Sequence, residues 1–351
     1  MEAKKRVTLK ELSAITGLSR TTIYNILNHK GSFSEQTRQT VLKAIKQYHY
    51  RPNLNARNLA LRKKYTIAYV GLYSNLDQYY NQNIQTGLKQ ALLEFEDDGL
   101  CLINHVCCCD DSTNQQIETI QHLEQQGIEH FIIFPQNGNS MNHCVQNLID
   151  HGKNVILLSN QLNVNGALAF IGCDYYQSGI LCGQIANKIT PYCGNIQIFL
   201  NHVSAEHLST QNRFLGILDS LKNNAKELTI CPPMYLNTTP EPSDEIIGQI
   251  IQQRHIDCAI NIISKTTTIC RQLQKSAKPV SMLTFDLYDE LIPFIQNDII
   301  DAVIEQNLTN QAYKAVKTMF EYLCYQKKPK NSAEYVPLNI IMKGNLQYFI
   351  E

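Results

Sequence analysis

The sequence predicts an α/β protein of two parts, a small all-α head with a helix-turn-helix and a larger two-lobed body built on parallel sheets. Its 351 residues suit more than one domain. Residues 1–64 carry 14 Lys and Arg against 3 Asp and Glu, whereas the remaining residues carry 17 against 28. From residue 65 onward, apolar runs of strand length alternate with helical stretches. A basic head on an acidic body indicates that nucleic acid binds at the first end.

The head shows start and stop signals for three short helices. Thr8 and Glu11 form a capping box for the first helix, and Gly17 ends it. Ser19 is the expected N-cap of the second helix, and Ser34 that of the third. The side chains expected in the core of the head are Leu9, Leu12, Ile15, Ile23, Ile26, Leu27, Val41, Leu42 and Ile45. Two helices joined by a turn with glycine, and braced by a third, are typical of a helix-turn-helix.

The body repeats a pattern of strand and helix. Its strands are predicted in YTIAYVGLY, LCLINHVCC, HFIIFP, NVILLSN, AFIGCD, NIQIFLN, LTICPPM, CAINIIS and PVSMLTF. Continuous apolar strands between helices indicate parallel sheets covered on both faces. Because the pattern occurs twice, we expect two α/β lobes with a ligand cleft at the carboxyl ends of the strands.

Catalytic, metal and membrane patterns are missing from the sequence. It has no GxGxxG after a strand, no GxxxxGK[ST], no GxSxG and no HExxH, so we expect neither an enzyme nor a cofactor. The 12 cysteines include no CxxC pair, so we expect reduced, mostly buried thiols and no metal site. No apolar run approaches the roughly 18 residues of a membrane span, and no secretory signal is visible, which predicts a cytoplasmic protein.

Residues 7–60 resemble the DNA-binding head of the lactose-repressor (LacI/GalR) family, up to its Tyr-x-Pro-Asn junction at Tyr50-Arg51-Pro52-Asn53. The resemblance implies a DNA-binding domain over residues 1–64 with a hinge helix over 53–61. It also implies a homodimer on a near-palindromic operator in double-stranded DNA.

The same resemblance implies that the second helix enters the major groove. The contacts implied are base edges for Arg20, Thr21 and Asn25, and phosphates for Ser19 and Thr22. Asn25 departs from the arginine usual there, and Tyr24 is bulkier than the usual residue, so a different operator sequence is expected. Tyr24 has two possible roles, packing against the third helix or contacting a phosphate.

In relatives, a hinge-helix leucine wedges into the minor groove. Leu59 holds that position here, and Ala56 allows two hinge helices to approach each other. Asn53 begins the helix, and Arg57 is either a phosphate contact or a linker charge. A helix this short is marginal in water, so we expect it to form only on DNA.

The body resembles the type I periplasmic-binding-protein fold that LacI/GalR members carry as an effector domain. The landmarks are Asp174-x4-Gly179, Arg213-Phe214-Leu215-Gly216, Phe285-Asp286 and AVIEQ. The resemblance implies an effector domain over residues 65–351. Its N-lobe would contain residues 65–188 and 306–332, and its C-lobe 189–305 and 333–351, with crossings near 188, 306 and 333.

Polar and aromatic residues near the strand ends are the effector-binding candidates. They are Tyr73, Tyr79, Tyr80, Asn137, Asp174, Arg213, Ser264, Asp286 and Gln306. Arg213 and Asp286 are the best candidates, because a guanidinium and a carboxylate each hold neighbouring hydroxyls through paired hydrogen bonds. Other roles stay open: a helix cap for Asp174, a hinge backbone contact for Gln306 and a structural ion pair for Arg213.

The sequence as a whole predicts a DNA-binding transcription regulator, with repression as the expected direction, controlled by a small molecule, most simply a sugar. Two alternatives remain: a sugar-binding receptor without a DNA role, and a regulator that responds to a purine or a protein partner.

Overall fold

The computed structural model describes residues 9–27, 33–48, 64–73, 78–108, 112–136, 138–200, 208–222, 226–236, 244–262 and 265–350. The chain divides into a small unit that includes Met1–Lys64 and a large unit formed by Tyr65–Glu94 and Leu100–Glu351.

The described residues of the small unit form three helices, α1 (Leu9–Thr16), α2 (Arg20–Leu27) and α3 (Glu35–Gln47). Gly17 follows α1 with a left-handed φ of 69°, and its N–H donates to the Ser13 carbonyl, so it ends the helix as predicted. Ser34 accepts a hydrogen bond from the Thr37 N–H and caps α3. Thr8 of the predicted capping box lies outside the described residues.

The core of the small unit is smaller than predicted. Among the described side chains, which do not include Leu9, it consists of Leu12, Ile23, Ile26, Val41 and Ala44, with Leu18, Leu27 and Ile45 packed against it. The predictions for Ile15 and Leu42 were wrong, since these side chains are 45% and 52% exposed. A three-helix domain this short has too little interior to bury every apolar position of its helices.

The large unit contains two sheets, of which the first has six strands. These are β1 (Tyr65–Tyr73), β2 (Leu100–Cys108), β3 (His130–Ile133), β4 (Asn154–Leu158), β5 (Ala169–Gly172) and β12 (Ala333–Tyr335). Their order is β12-β5-β4-β3-β1-β2, and every pairing is parallel. The helices between them are α4 (Gln78–Phe95), α5 (Ser112–Gln125) and α6 (Asn139–Asp150).

The second sheet has the path β13-β11-β10-β9-β6-β7, with β8 paired to β6. Its strands are β6 (Asn195–Leu200), β7 (Thr229–Ile230), β8 (Met234–Tyr235), β9 (Cys258–Asn261), β10 (Ser281–Phe285), β11 (Ala302–Glu305) and β13 (Asn339–Ile341). All pairings are parallel except that of β13 with β11. The helices of this half are α7 (Tyr175–Ile189), α8 (Leu208–Lys222), α9 (Asp244–Gln253), α10 (Thr266–Leu273) and α11 (Ile292–Gln296), and α12 (Leu308–Tyr325) returns to the first sheet.

Apolar side chains cover both faces of the second sheet. Along β10, Met282 belongs to one buried cluster and Leu283 to another. Neighbouring residues of a strand point to opposite faces, so two separate clusters mean that each face is covered by helices. The predicted α/β class with parallel sheets is confirmed.

The chain passes three times between the sheets. The crossings lie between Gly172 and Tyr175, between Glu305 and Leu308, and between Tyr335 and Asn339. The first was predicted near residue 188, which is wrong, because α7 packs on the second sheet. Helix α7 contributes Cys182 and Ala186 to the same cluster as strand β6 and helix α8. The third was predicted near residue 333 and lies later, because β12 still belongs to the first sheet.

Within the described part of the chain, no helix has the length and apolar character needed to cross a membrane. Most cysteines with described side chains are buried.

Candidate functional site

The face of α2 that points away from the core carries several of the predicted DNA contacts. Ile23 and Ile26 are buried, whereas Arg20 and Thr21 on the other side of the helix are exposed and Asn25 is half-buried. Ser19 precedes the helix, and its Oγ accepts from the Thr22 N–H at 3.0 Å. The cap fixes the first turn of the helix and keeps both hydroxyls at its exposed end.

Several predicted site residues lie outside the described residues. These are Asn53, Ala56, Arg57 and Leu59 with the predicted hinge helix 53–61, and Asn137 and Ser264 in the body. Tyr24 lies on α2, Tyr73 ends β1, and Tyr79 and Tyr80 lie on α4, but their side chains are outside the described set.

Arg213 of α8 is a buried cation between two aromatic rings. Its side chain is only 6% exposed, and Cζ lies 5.0 Å from the centroid of the Tyr175 ring and 4.6 Å from that of Phe285. Tyr175 begins α7 and Phe285 ends β10. The quadrupoles of two aromatic faces stabilise the guanidinium where water is largely excluded.

Two glycines set the position of Arg213. A Cβ on Gly179 of α7 would lie 2.1 Å from the Arg213 carbonyl oxygen, and one on Gly216 of α8 would lie 2.2 Å from the Tyr176 carbonyl oxygen. Helices α7 and α8 therefore approach more closely than any side chain at these positions would allow. This contact explains two of the glycines in the sequence landmarks and holds Arg213 against Tyr175.

Asp286 follows directly after β10, with Arg213 stacked on the ring of the preceding residue. Its φ of 62° is left-handed, and its side chain is 6% exposed. The Gln306 Nε2 donates to both carboxylate oxygens of Asp286 at 2.9 Å. A buried carboxylate needs such donors, because desolvation otherwise disfavours its charge.

Gln306 lies on the second crossing and is held by further hydrogen bonds. Its carbonyl oxygen accepts from Gln311 Nε2 at 2.8 Å, and its Oε1 accepts from the Cys173 thiol at 3.5 Å. Burial is the main cause that raises the pKa of Cys173 to about 12, although the Arg213 charge opposes it. The sulfur therefore keeps its proton, and acts as a donor, throughout the physiological range.

Tyr175 joins this site to the first sheet. Its hydroxyl donates to the Ser159 carbonyl oxygen at 2.7 Å, and Ser159 follows directly after β4. Burial raises the pKa of Tyr175, so the hydroxyl stays protonated. A single side chain thus contacts the end of an N-lobe strand and the buried guanidinium of the C-lobe.

Asp174 has a local structural role. Its Oδ1 accepts from the Gln177 N–H at 3.0 Å and caps α7. A helix cap was one of the roles that the sequence left open for Asp174, and this contact is such a cap.

The carboxylate of Glu305 joins the second and third crossings. Glu305 is buried, its Oε1 accepts from the Asn307 N–H at 2.7 Å, and its Oε2 accepts from Asn339 Nδ2 at 3.1 Å. One carboxylate therefore fixes the backbone of one crossing and a side chain of the next.

Three residues with left-handed backbone follow the ends of strands β4, β10 and β11. Ser159, Asp286 and Asn307 have φ values of 60°, 62° and 59°, and each lies within two residues of the end of a strand. Residues other than glycine rarely adopt this conformation, and such strain concentrates at functional sites.

The structure thus brings together Arg213, Asp286 and Gln306 and adds three groups that the sequence did not predict, Ser159, Cys173 and Tyr175. Ser159 and Cys173 directly follow strands β4 and β5, a position that could have drawn attention to them, whereas Tyr175 begins α7. Among the described residues, no group of three or more His, Cys, Asp or Glu side chains is arranged to hold a metal ion.

The helical head and the two-sheet body with its crossings define a helix-turn-helix protein with a periplasmic-binding-protein-like domain. Residues 67–328 match the family model "Periplasmic binding protein domain", and residues 8–53 match "Bacterial regulatory proteins, lacI family". The chain belongs to the periplasmic binding protein domain family, and its head is similar to the lacI-family regulatory proteins over residues 8–53 alone.

Two transcription regulators from other bacteria are similar in sequence to part of the chain. The HTH-type transcriptional regulator AscG of Escherichia coli is 26% identical over 215 residues, which are 61% of this chain and 60% of AscG. The sucrose operon repressor of Klebsiella pneumoniae is 24% identical over 136 residues, 37% of each chain. The matched segments thus span less than two thirds of both relatives.

Solved structures show the same body fold. GanP, a glucose-galactose binding protein from Geobacillus stearothermophilus, is 17% identical with a TM-score of 0.68, covering 81% of this chain and 99% of GanP. At this identity the likeness concerns the fold alone.

Proposed function

We propose that the chain is a sequence-specific DNA-binding transcription regulator, a repressor, whose operator affinity is set by a small molecule bound between the two lobes. The observation that carries the proposal is the combination of two sites in one chain. One is an exposed polar face on the second helix of a helix-turn-helix. The other is formed by a buried guanidinium, Arg213, which lies on the ring of Phe285, and by the buried carboxylate of the next residue, Asp286, which is hydrogen-bonded to the second crossing.

The head supplies the DNA contacts in this proposal. Arg20 donates two hydrogen bonds to the O6 and N7 of a guanine, and Asn25 pairs with the N6 and N7 of an adenine. Thr21 adds a base contact, while the hydroxyls of Ser19 and Thr22 contact phosphates. These assignments are supported by exposure on one face of α2 and by the lacI-family match over residues 8–53.

The operator is near-palindromic in this proposal, and the protein is a homodimer. Two heads related by a two-fold axis read two half-sites, as symmetry requires of a dimeric helix-turn-helix protein. Between them, paired hinge helices over residues 53–61 bend the DNA, with Leu59 inserted in the minor groove. Because its partner is DNA, we also place the protein in the cytoplasm.

The effector is a sugar in this proposal. Arg213 and Asp286 bind its hydroxyls, and Tyr73, Tyr79, Tyr80, Asn137 and Ser264 complete the ring of contacts. A buried guanidinium and carboxylate suit a neutral polyol, because each presents paired donors or acceptors to adjacent hydroxyls. The similar sucrose operon repressor and the structurally similar glucose-galactose binding protein GanP are both named for sugars.

Effector binding alters the angle between the lobes, and so the spacing of the two hinge helices. When the spacing changes, the hinge pair melts and operator affinity falls. Such coupling is reciprocal and is typically about 1–3 kcal/mol.

The test is a gel-shift titration of the full chain on DNA selected from random sequence. We expect a specific complex whose affinity falls when D-glucose, D-galactose or sucrose is added. Absence of any sequence-specific complex would overturn the regulator and favour a binding receptor. In that case a chain that lacks residues 1–64 would keep the whole cellular function. A specific complex that responds to none of these sugars but to a purine or a protein would overturn the sugar.

A further inference from the structure

We propose that Cys173 and Gln306 are positioning residues that hold the Asp286 carboxylate in place and connect it to two of the three crossings. The inference rests on the proposed function, since it takes Asp286 as the residue that contacts the effector. It assigns Gln306 a role different from the predicted one, because Gln306 acts here through Asp286 rather than on the effector.

The hydrogen bonds of Gln306 define the first step. Its Nε2 lies 2.9 Å from each oxygen of Asp286. The two oxygens of one carboxylate lie too close together to take the two diverging N–H groups of one amide nitrogen, so a single Nε2–H is shared between them. With a side chain 1% exposed, Gln306 is more deeply buried than the carboxylate it holds.

The orientation of the Gln306 amide is the second step. A carboxamide that turns by 180° about its last bond would present its oxygen to Asp286, and two acceptors would then face each other. The Cys173 thiol donates to Oε1 from the opposite end, at 3.5 Å, and so selects the productive orientation. Because burial keeps this thiol protonated, it remains a donor at physiological pH.

The positions of the three residues along the chain are the third step. Cys173 lies on the first crossing, Gln306 on the second, and Asp286 at the end of a C-lobe strand. A displacement of the Asp286 carboxylate therefore reaches the second crossing through its hydrogen bond with Gln306. It reaches the first crossing through the further hydrogen bond between Gln306 and Cys173. Gln311 Nε2 also donates to the Gln306 carbonyl oxygen, which ties the second crossing to the start of α12 in the N-lobe.

The consequence is a direct link between effector binding and lobe rotation. When a hydroxyl binds Asp286, it shares acceptors with the Gln306 amide and changes the hydrogen bonds that hold the crossings. The same residues thus set the affinity for the effector and the geometry of the hinge.

The first experiment uses the full chain without any ligand and measures the midpoint of thermal unfolding of the body. We expect C173A and D286N each to lower the midpoint by about 2–4 °C. The double variant should lose clearly less than the sum, because two residues that act through one amide are not independent. C173S keeps a donor and should stay within about 1 °C of the wild type.

Cys182 provides the matched control. It is a fully buried cysteine of α7 that packs in the apolar cluster with Ile198 and Ile217. C182A combined with D286N should give the sum of the two single effects. Additivity of C173A with D286N, or a loss in C173S as large as in C173A, would show that Cys173 only fills space and would overturn the proposal.

The second experiment measures effector affinity by calorimetry. The probe is whichever of D-glucose, D-galactose and sucrose raises the wild-type midpoint most. We expect C173A to weaken its binding about three- to tenfold and C173S to restore it to within about twofold. Equal weakening by both variants would overturn the positioning role. If none of the three sugars shifts the wild type, the proposed sugar falls, while the unfolding cycle still decides whether Cys173 is coupled to Asp286.

Discussion

The head and the body of this chain build their sites in opposite ways. The head places those predicted DNA contacts that the structure describes at Ser19 and on the one short helix that follows it. The body instead collects its polar site from strand ends and crossings that lie far apart in sequence, so that Cys173 and Gln306, 133 residues apart, share a hydrogen bond. A site on one helix depends on its own residues and on the three-helix core. A site assembled from crossings depends on the arrangement of the entire domain.

The largest effect that separates the two regions is expected at Asp286. D286A should weaken effector binding about 100-fold, because it removes a buried charged acceptor and leaves its donors unsatisfied. Operator affinity without the effector should stay within about twofold of the wild type. Gel-shift titrations with and without the probe sugar measure both.

The exposed Asp289, three residues further along the chain, is the control. D289A should behave as the wild type in both titrations. If induction survives in D286A, the assignment of the cleft is wrong.

Arg20 is the corresponding residue of the head. R20A should lower operator affinity about 10- to 100-fold and relax the preference at one base pair, since a bidentate contact to guanine is lost. The thermal shift caused by the sugar should not change, because the site lies in another unit.

Lys43, exposed on α3, is the matched basic residue. K43A should lower the affinity for specific and for non-specific DNA to the same small extent. A contact made by Lys43 would be with a phosphate, which is present in every sequence. Equal losses on specific and random DNA in R20A would count against its role as a base contact.

A smaller effect on the body is expected at Gly179. G179A forces α7 and α8 apart and should cost about 1–3 kcal/mol of stability. It should also weaken sugar binding, because Arg213 moves with its backbone. Urea unfolding and calorimetry test these outcomes.

Gly344 is a suitable control, because a Cβ there meets nothing within 4 Å. G344A should leave stability and sugar binding nearly unchanged. A sugar affinity in G179A equal to that of the wild type would show that the helix contact does not position Arg213.

The smallest effect is expected at Ser34, which caps α3. S34A should lower the stability of the head by about 1 kcal/mol through the lost cap. Because α3 packs against α2, which carries the proposed base contacts, operator affinity should fall slightly while sugar binding stays the same. Thermal unfolding followed by the helical signal tests this, and a change in sugar affinity would contradict the independence of the two units.

The sequence was sufficient for the class of fold and for the elements of the head. Caps and breakers act within a few residues, so Gly17 and Ser34 predict the ends of helices without knowledge of the rest. Apolar periodicity could not show which side chains a small core leaves out, and therefore Ile15 and Leu42 were misplaced.

Long-range contacts limited the prediction of the body. The first crossing was misplaced because α7 packs on the second sheet through Cys182 and Ala186, a contact that no local pattern reveals. Arg213, Asp286 and Gln306 were predicted from the resemblance, whereas Tyr175 and Cys173 were not. An aromatic residue at the start of a helix and a cysteine after a strand have no periodic signal of their own.

The order of strands along the chain has a consequence for synthesis on the ribosome. Strand β12 completes the edge of the first sheet, and β13 completes that of the second, so neither sheet is complete until residues 333–341 have emerged. The three helices of the head end at Gln47 and are available from the start. A nascent or prematurely terminated chain therefore carries the three folded helices of the head on an incomplete body, with sheet edges open to aggregation.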